Sequence, residues 1–129
     1  PNIFSFFINF FGLSKNFSKK IINTMEVPFI HGALYVLKTN IFFRVNGFDD
    51  QYFLYCEDID ICAKICNIGL KNIIYPNVYV THLHQKESHK NIFLFCIHII
   101  SILKYVLKWR TKNCPQLDSV NKNFLKNFK

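Results

Sequence analysis

The sequence predicts an α/β fold. Short β-rich apolar runs fall at 29–39, 71–75 and 78–82, apolar residues recur at 59, 61, 62, 65, 66 and 68 with helical spacing, and 91–109 is one long apolar helical stretch. With 129 residues, half of them apolar and 17% aromatic, the chain has the means to bury a core.

In chain order, "PNIFSFFINFFGL" (1–13) reads as a core or interface segment, because it lacks the basic leader and cleavage site of a signal peptide. A first residue of Pro rather than Met reads as a processed chain or, more simply, a piece of something longer, and a fragment is expected. "SKNFSKKIINTMEVP" is polar and basic and reads as a surface connection. "FIHGALYVLKT" (29–39) is expected to be a buried strand, with Gly32 and Ala33 where little side chain is tolerated. "NIFFRVNGF" reads as a short helical turn closed by Asn46-Gly47, a pair that readily takes positive φ. A helix is predicted from Glu57 to Ile68, ending at Gly69 as its C′ residue. "KNIIY" and "VYVTH", separated by Pro76-Asn77, are expected strands, and "QKESHK" a loop. The helix at 91–109 follows, and the tail "NKNFLKNFK" is expected to fray.

The formal net charge is +8, and lysine supplies nearly all of the basic residues. Such a surface suits anionic lipid headgroups or a diphosphate-bearing substrate. Nucleic acid is not expected, since Arg is scarce and no helix-turn-helix, zinc-finger or RNA-binding signature is present. Five cysteines, at 56, 62, 66, 96 and 114, are an odd count without disulfide-scaffold spacing, which favours reduced thiols in the cytoplasm. Cys62 and Cys66 with His82 and His84 have the residue types of a zinc site, but not the spacing of a finger; buried, inert thiols are the weightier reading.

Five of the eight acidic residues, Asp49, Asp50, Glu57, Asp58 and Asp60, fall within a dozen positions edged by aromatics. One carboxylate is enough to cap a helix, a role worth ~1 kcal/mol. Glu57, Asp58 and Asp60 together repel one another unless a cation, a hydroxyl-bearing substrate or a proton resolves the conflict. That surplus marks the segment as a candidate site.

These residues carry a resemblance. The stretch "HGALYVLKTNIFFRVNGFDDQYFLYCEDIDICAKICNIGLKNIIYPNVYVTHLH" resembles the second half of the catalytic domain of family 2 glycosyltransferases, the inverting GT-A enzymes, and within them the bacterial rhamnosyltransferase-like group. The shared order is a Gly-Ala strand, a Gly-Phe-Asp turn, an aromatic stretch leading to Glu-Asp-x-Asp, a helix ending in Gly, a Tyr-x-Pro strand pair and a terminal His, over about residues 27–88. The resemblance implies a partial GT-A fold, the acceptor-side half, with a short mixed sheet and flanking helices. It implies Asp58 as general base with Glu57 as acceptor contact or alternative base, and Asp60 as structural. Asp49, Asp50, Phe53, Gly32 and Ala33 would line the acceptor, and His82 would help hold a divalent metal, Mn²⁺ or Mg²⁺, shared with an Asp-x-Asp motif that this chain lacks. Asn46 stands where the family has its first Gly. The implied partners are a nucleotide-sugar donor and a saccharide or lipid-linked acceptor.

On this reading residues 1–88 form the acceptor and catalytic-base half, while 89–129 supply an apolar helix and a basic tail. The helix is short for a bilayer span, being broken by His98, Ser101 and Lys104. Two readings stand: an interfacial helix placing Lys104, Lys108, Arg110 and Lys112 on anionic headgroups at the inner face of the plasma membrane, or a helix packed over the fold. The alternative to an enzyme is a membrane-associated or interaction domain whose acidic turn is structural.

Overall fold

The computed structural model describes residues 21–82, 91–112 and 114–127. Its elements are β1 (Met25–Val27), α1 (Thr39–Arg44), α2 (Glu57–Asn67), β2 (Asn72–Ile74), α3 (Ile92–Arg110) and α4 (Pro115–Asn127). The α/β character is therefore present in a helix-rich form with one two-stranded sheet. The expected loop at 85–90, the aromatic start, His84 and His89 lie outside the described residues.

Helix α2 is the centre of the packing, because its apolar residues serve two faces. Ile61, Cys62 and Ile65 pack with Val45, Ile30, Leu37, Ile41 and Phe42. Ala63 and Cys66 join Ile102, Tyr105, Val106 and Trp109 of α3 and Leu117 of α4. A helix covered on both faces is a core helix. It stops as the sequence predicts: Gly69 takes φ +83°, its N–H donates to the Cys66 carbonyl at 3.0 Å, and the Leu70 N–H reaches the Ile65 carbonyl at 3.2 Å. Those two bonds form a Schellman motif, which satisfies carbonyls the helix end leaves open.

The turn after α1 also follows its residues. Asn46 and Gly47 both have positive φ, 57° and 54°, and the Gly47 N–H closes onto the Phe42 carbonyl at 2.8 Å. A Cβ at Gly47 would lie 2.9 Å from the Phe42 ring, so this position excludes a side chain twice over.

Strand β2 falls within the predicted 71–75, but its antiparallel partner β1 comes from the segment expected to be a surface connection. The register pairs Met25 with Ile74 and Val27 with Asn72. Buried Asn72 ties the sheet to α2, its Nδ2 donating to the Cys62 carbonyl at 3.1 Å and to Cys66 Sγ at 3.2 Å. Asn is a poor strand former, and here the tie to α2 supplies the reason for it.

Two expected strands are absent from the structure. Residues 29–39 form no strand, and Val36 is 95% exposed. β-branched and aromatic composition favours a strand only where a neighbour supplies the ladder. Here the backbone donors go to side chains instead: Ile30 N–H to Cys62 Sγ, Gly32 N–H to Asp58 Oδ2 and Ala33 N–H to His31 Nδ1. Residues 78–82 likewise stay outside any sheet, with Val78, Tyr79 and Val80 exposed.

Helix α3 begins at Asn91, whose side chain caps the Phe93 and Leu94 N–H groups. Its C-terminal half packs through Ser101, Ile102, Tyr105, Val106 and Trp109. The tail expected to fray is instead helical through Asn127 in α4. Leu117 and Val120, three apart and buried, give α4 an apolar stripe, and Gln116 Nε2 donates to the Leu70 carbonyl at 3.3 Å. The basic residues of the tail mask that stripe in the sequence.

Candidate active site

The backbone delivers the acidic cluster to the start of α2 through an unusual lead-in. Tyr55 and Cys56 both have left-handed φ, 66° and 69°, which costs non-glycine residues of order 1 kcal/mol or more each and persists only where the surroundings enforce it. The Tyr55 ring stacks on His98 of α3 at a centroid distance of 4.3 Å, and the Leu54 carbonyl accepts from Ser101 Oγ at 2.7 Å. Helix α3 thereby holds the turn from which α2 starts.

The carboxylates then divide by environment. Asp60 is 1% exposed and fully committed: Lys108 Nζ lies 2.7 Å from its Oδ2, and Trp109 Nε1 donates to its Oδ1 at 2.7 Å. Lys64 lies 3.5 Å from the same Oδ2. Asp60 is thus a structural anchor, as expected. Asp49 shares Lys108, at 2.6 Å, and accepts from the Gln51 backbone and side chain. Partial burial pushes its pKa up, yet the Lys108 and Gln51 donors outweigh this and hold the Asp49 carboxyl at about 2. Asp50 and Phe53 are exposed, Phe53 strongly so.

Asp58 is placed differently. Its Oδ2 accepts from the Gly32 N–H at 2.9 Å, and its Oδ1 from the Ile59 N–H at 2.8 Å. A Cβ on Gly32 would sit 3.5 Å from the Asp58 side chain, so the 31–33 turn runs directly against it. Glu57, its neighbour, has a buried Oε2 with no hydrogen-bond partner. Tyr35 lies within the field of this pair: burial first, then the charges of Cys62, Asp58 and Glu57, raise its phenol pKa.

His82 stands beside the same turn. Its ring centroid is 5.8 Å from that of His31, the residue preceding Gly32, and His31 Nδ1 accepts from the Ala33 N–H at 3.2 Å. The structure thus gathers Gly32, Ala33, Asp58 and His82 around one loop, and joins Asp49 to the α3 anchor instead. His31 and Tyr35 were not singled out from the sequence. Their adjacency to Gly32 along the chain was the available signal, but it gains meaning only once Asp58 is known to bond that glycine.

Among the described residues no cluster of three His, Cys, Asp or Glu side chains is placed to hold a metal ion. Cys62 and Cys66 accept hydrogen bonds from Ile30 and Asn72, and burial raises both thiol pKa values, that of Cys66 to about 11. Both are buried in the core on α2, while His84, the fourth residue of the zinc pattern, lies outside the described residues. His82 and its described neighbours do not by themselves make up a divalent-metal set.

Over 96% of its length the chain is 28% identical to the rhamnosyltransferase WbbL of Escherichia coli (strain K12), covering 48% of that protein. It is also 26% identical, over 54% of its length, to the N-acetylglucosaminyl-diphospho-decaprenol L-rhamnosyltransferase of Mycobacterium tuberculosis (strain CDC 1551 / Oshkosh), covering 26% of that protein. The chain is thus similar to bacterial rhamnosyltransferases, and it spans about half the length of its Escherichia coli relative. No protein-family model matches it, and no solved structure does.

Proposed function

We propose that the chain is the acceptor-side half of an inverting family 2 glycosyltransferase of GT-A fold, with Asp58 as its general base. The observation that carries this reading is the Asp58 carboxylate at the start of α2, oriented by the Gly32 and Ile59 N–H groups. A carboxylate has about four lone-pair sites, so two N–H bonds fix its direction while leaving capacity for an acceptor hydroxyl. As that hydroxyl attacks the anomeric carbon, its proton passes to Asp58, and the C–O bond to the nucleotide diphosphate breaks on the opposite face, inverting the centre. Glu57 stands beside Asp58 as acceptor contact or alternative base, and exposed Phe53 offers an apolar wall to a sugar face.

The names of the relatives support a rhamnosyl group as the transferred sugar, and that of the mycobacterial protein supports an isoprenoid-diphosphate-linked saccharide as the acceptor. We place the reaction on the cytoplasmic side, where an odd number of unpaired thiols is at home. A divalent cation at His82 would take its other ligands from beyond the described residues, so no step here runs through it.

The test is transfer of rhamnose from a nucleotide-linked donor to a polyprenyl-diphosphate-linked N-acetylglucosamine, by this chain joined to a nucleotide-binding half. Asp58→Asn keeps an oxygen for the Gly32 N–H and should lower kcat at least ~100-fold. Undiminished transfer by that variant would remove the assignment. Absence of transfer by the joined wild-type chain would favour the second reading, an interaction domain whose acidic turn is structural, for which the capture of both Asp49 and Asp60 by Lys108 speaks.

A further inference from the structure

Helix α3 has two unlike faces. Its inner face is nailed to the 49–60 segment by Ser101, Lys104, Lys108 and Trp109, through bonds of 2.6 to 2.7 Å to the Leu54 and Gln51 carbonyls and to Asp49 and Asp60. Its outer face is an apolar stripe at helical spacing, Ile92, Cys96, Ile100, Leu103 and Leu107, with Phe93 beside it. Ile92 is 76% exposed and Leu107 65%, more than a water-facing helix needs. Arg110, one turn beyond Leu107, and Lys112 are exposed at the end of this stripe, in a chain of net charge +8.

Among the described residues α3 alone is long and apolar enough to cross a bilayer, with a mean hydropathy of 1.8. Crossing is incompatible with the inner face. It would strip Lys108 from two carboxylates and carry it, with Lys104, into hydrocarbon, where a lysine costs several kcal/mol. A helix with one face committed to protein, the other apolar, and cations at one end has the make-up of a helix that lies in a membrane interface.

We propose that α3 docks the protein on an anionic membrane surface, with Ile92, Ile100, Leu103 and Leu107 in the acyl boundary and Arg110 and Lys112 on the headgroups. The surface deepens the proposed use of a lipid-linked acceptor, but it stands on the two faces of α3. Transfer to a water-soluble acceptor would persist if docking failed, so the two readings fail separately.

Cys96 gives the test a reporter, since it is the exposed cysteine of the five. The chain is labelled there with an environment-sensitive maleimide and mixed with phosphatidylglycerol-rich vesicles or with pure phosphatidylcholine vesicles. Docking predicts a blue shift and protection from iodide with the anionic vesicles, weakened at high salt. Ile100→Gln with Leu107→Gln should reduce vesicle affinity at least ~10-fold, and Arg110→Gln with Lys112→Gln should reduce it by a similar factor on anionic vesicles alone, both with unchanged circular dichroism. Failure to co-sediment, or affinity indifferent to the stripe substitutions, overturns the proposal. So does a Cys96 already protected without vesicles, which would show the stripe covered by another part of the chain or, where protection grows with concentration, by a second copy.

Discussion

The Lys108 ammonium lies 2.7 Å from the Asp60 carboxylate, across 48 residues of sequence. With Asp49 at 2.6 Å and the Tyr52 and Trp109 rings beneath it, this one side chain joins α3 to the helix that carries Asp58. Asp60 is two residues from Asp58 on the same helix, so the proposed base owes its position in part to a contact made little more than half a turn away.

Removing that cation should therefore be felt in the fold. Lys108→Met leaves the buried Asp60 charge with only the more distant Lys64 as cationic partner, and breaking such a pair from one side costs about 3 kcal/mol or more. Urea unfolding should show stability lowered accordingly, whereas Lys112→Met, whose exposed ammonium lies 5.0 Å from the Trp109 ring, should lower it by under ~1 kcal/mol. Equal effects would contradict the anchor.

Acid should release the same contact in steps. The Asp49 carboxyl titrates at about 2 in the fold, below the ordinary 3.8. A depressed folded pKa contributes stability that is fully present above the unfolded value and is lost as pH falls through the folded one. The wild-type chain should accordingly lose stability between about pH 4 and pH 2, and Asp49→Asn should flatten that part of a stability-against-pH curve.

Thiol chemistry should separate the five cysteines. Cys96 is exposed and the other four are buried, with burial pushing Cys56 up to about 12 and Cys66 to about 11. Ellman's reagent at pH 8 should consume one thiol quickly and the remaining four only as the chain unfolds. Two or more fast thiols would mean that the packing of α2 against α3 and α4 is looser than described.

The two left-handed glycines should not be equivalent. Gly69→Ala meets open space and pays only for its backbone, about 1 kcal/mol. Gly47→Ala adds a clash with Phe42 at 2.9 Å, so it should cost about twice as much or more. Thermal melts of the two variants, compared at one pH, check the order.

Local signals were legible where a residue acts through its own backbone. Asn46-Gly47 and Gly69 announce their positive φ, and the 59–68 stripe announces a helix. The surplus of carboxylates at 49–60 was legible too, as a conflict needing a resolution. Which acid resolves which way was not. Asp49 and Asp60 are met by a lysine some fifty residues later, and nothing in the charge pattern at the end of α3 distinguishes Lys108 from Lys112 just beyond it.

The strands fared worst for the same physical reason. A strand is completed by a neighbour, so 29–39 and 78–82 look like strands in composition yet stand without a ladder among the described residues, while β1 was hidden in a polar run. The sequence by itself determined helices α1, α2 and α3, the glycine stop of α2 and the family likeness, because these rest on short-range backbone chemistry and residue order, while α4 escaped it. Only the tertiary structure decided that Asp58 faces Gly32 while Asp60 is locked to Lys108 and Trp109, since burial and pairing depend on what distant residues bring to the same point in space.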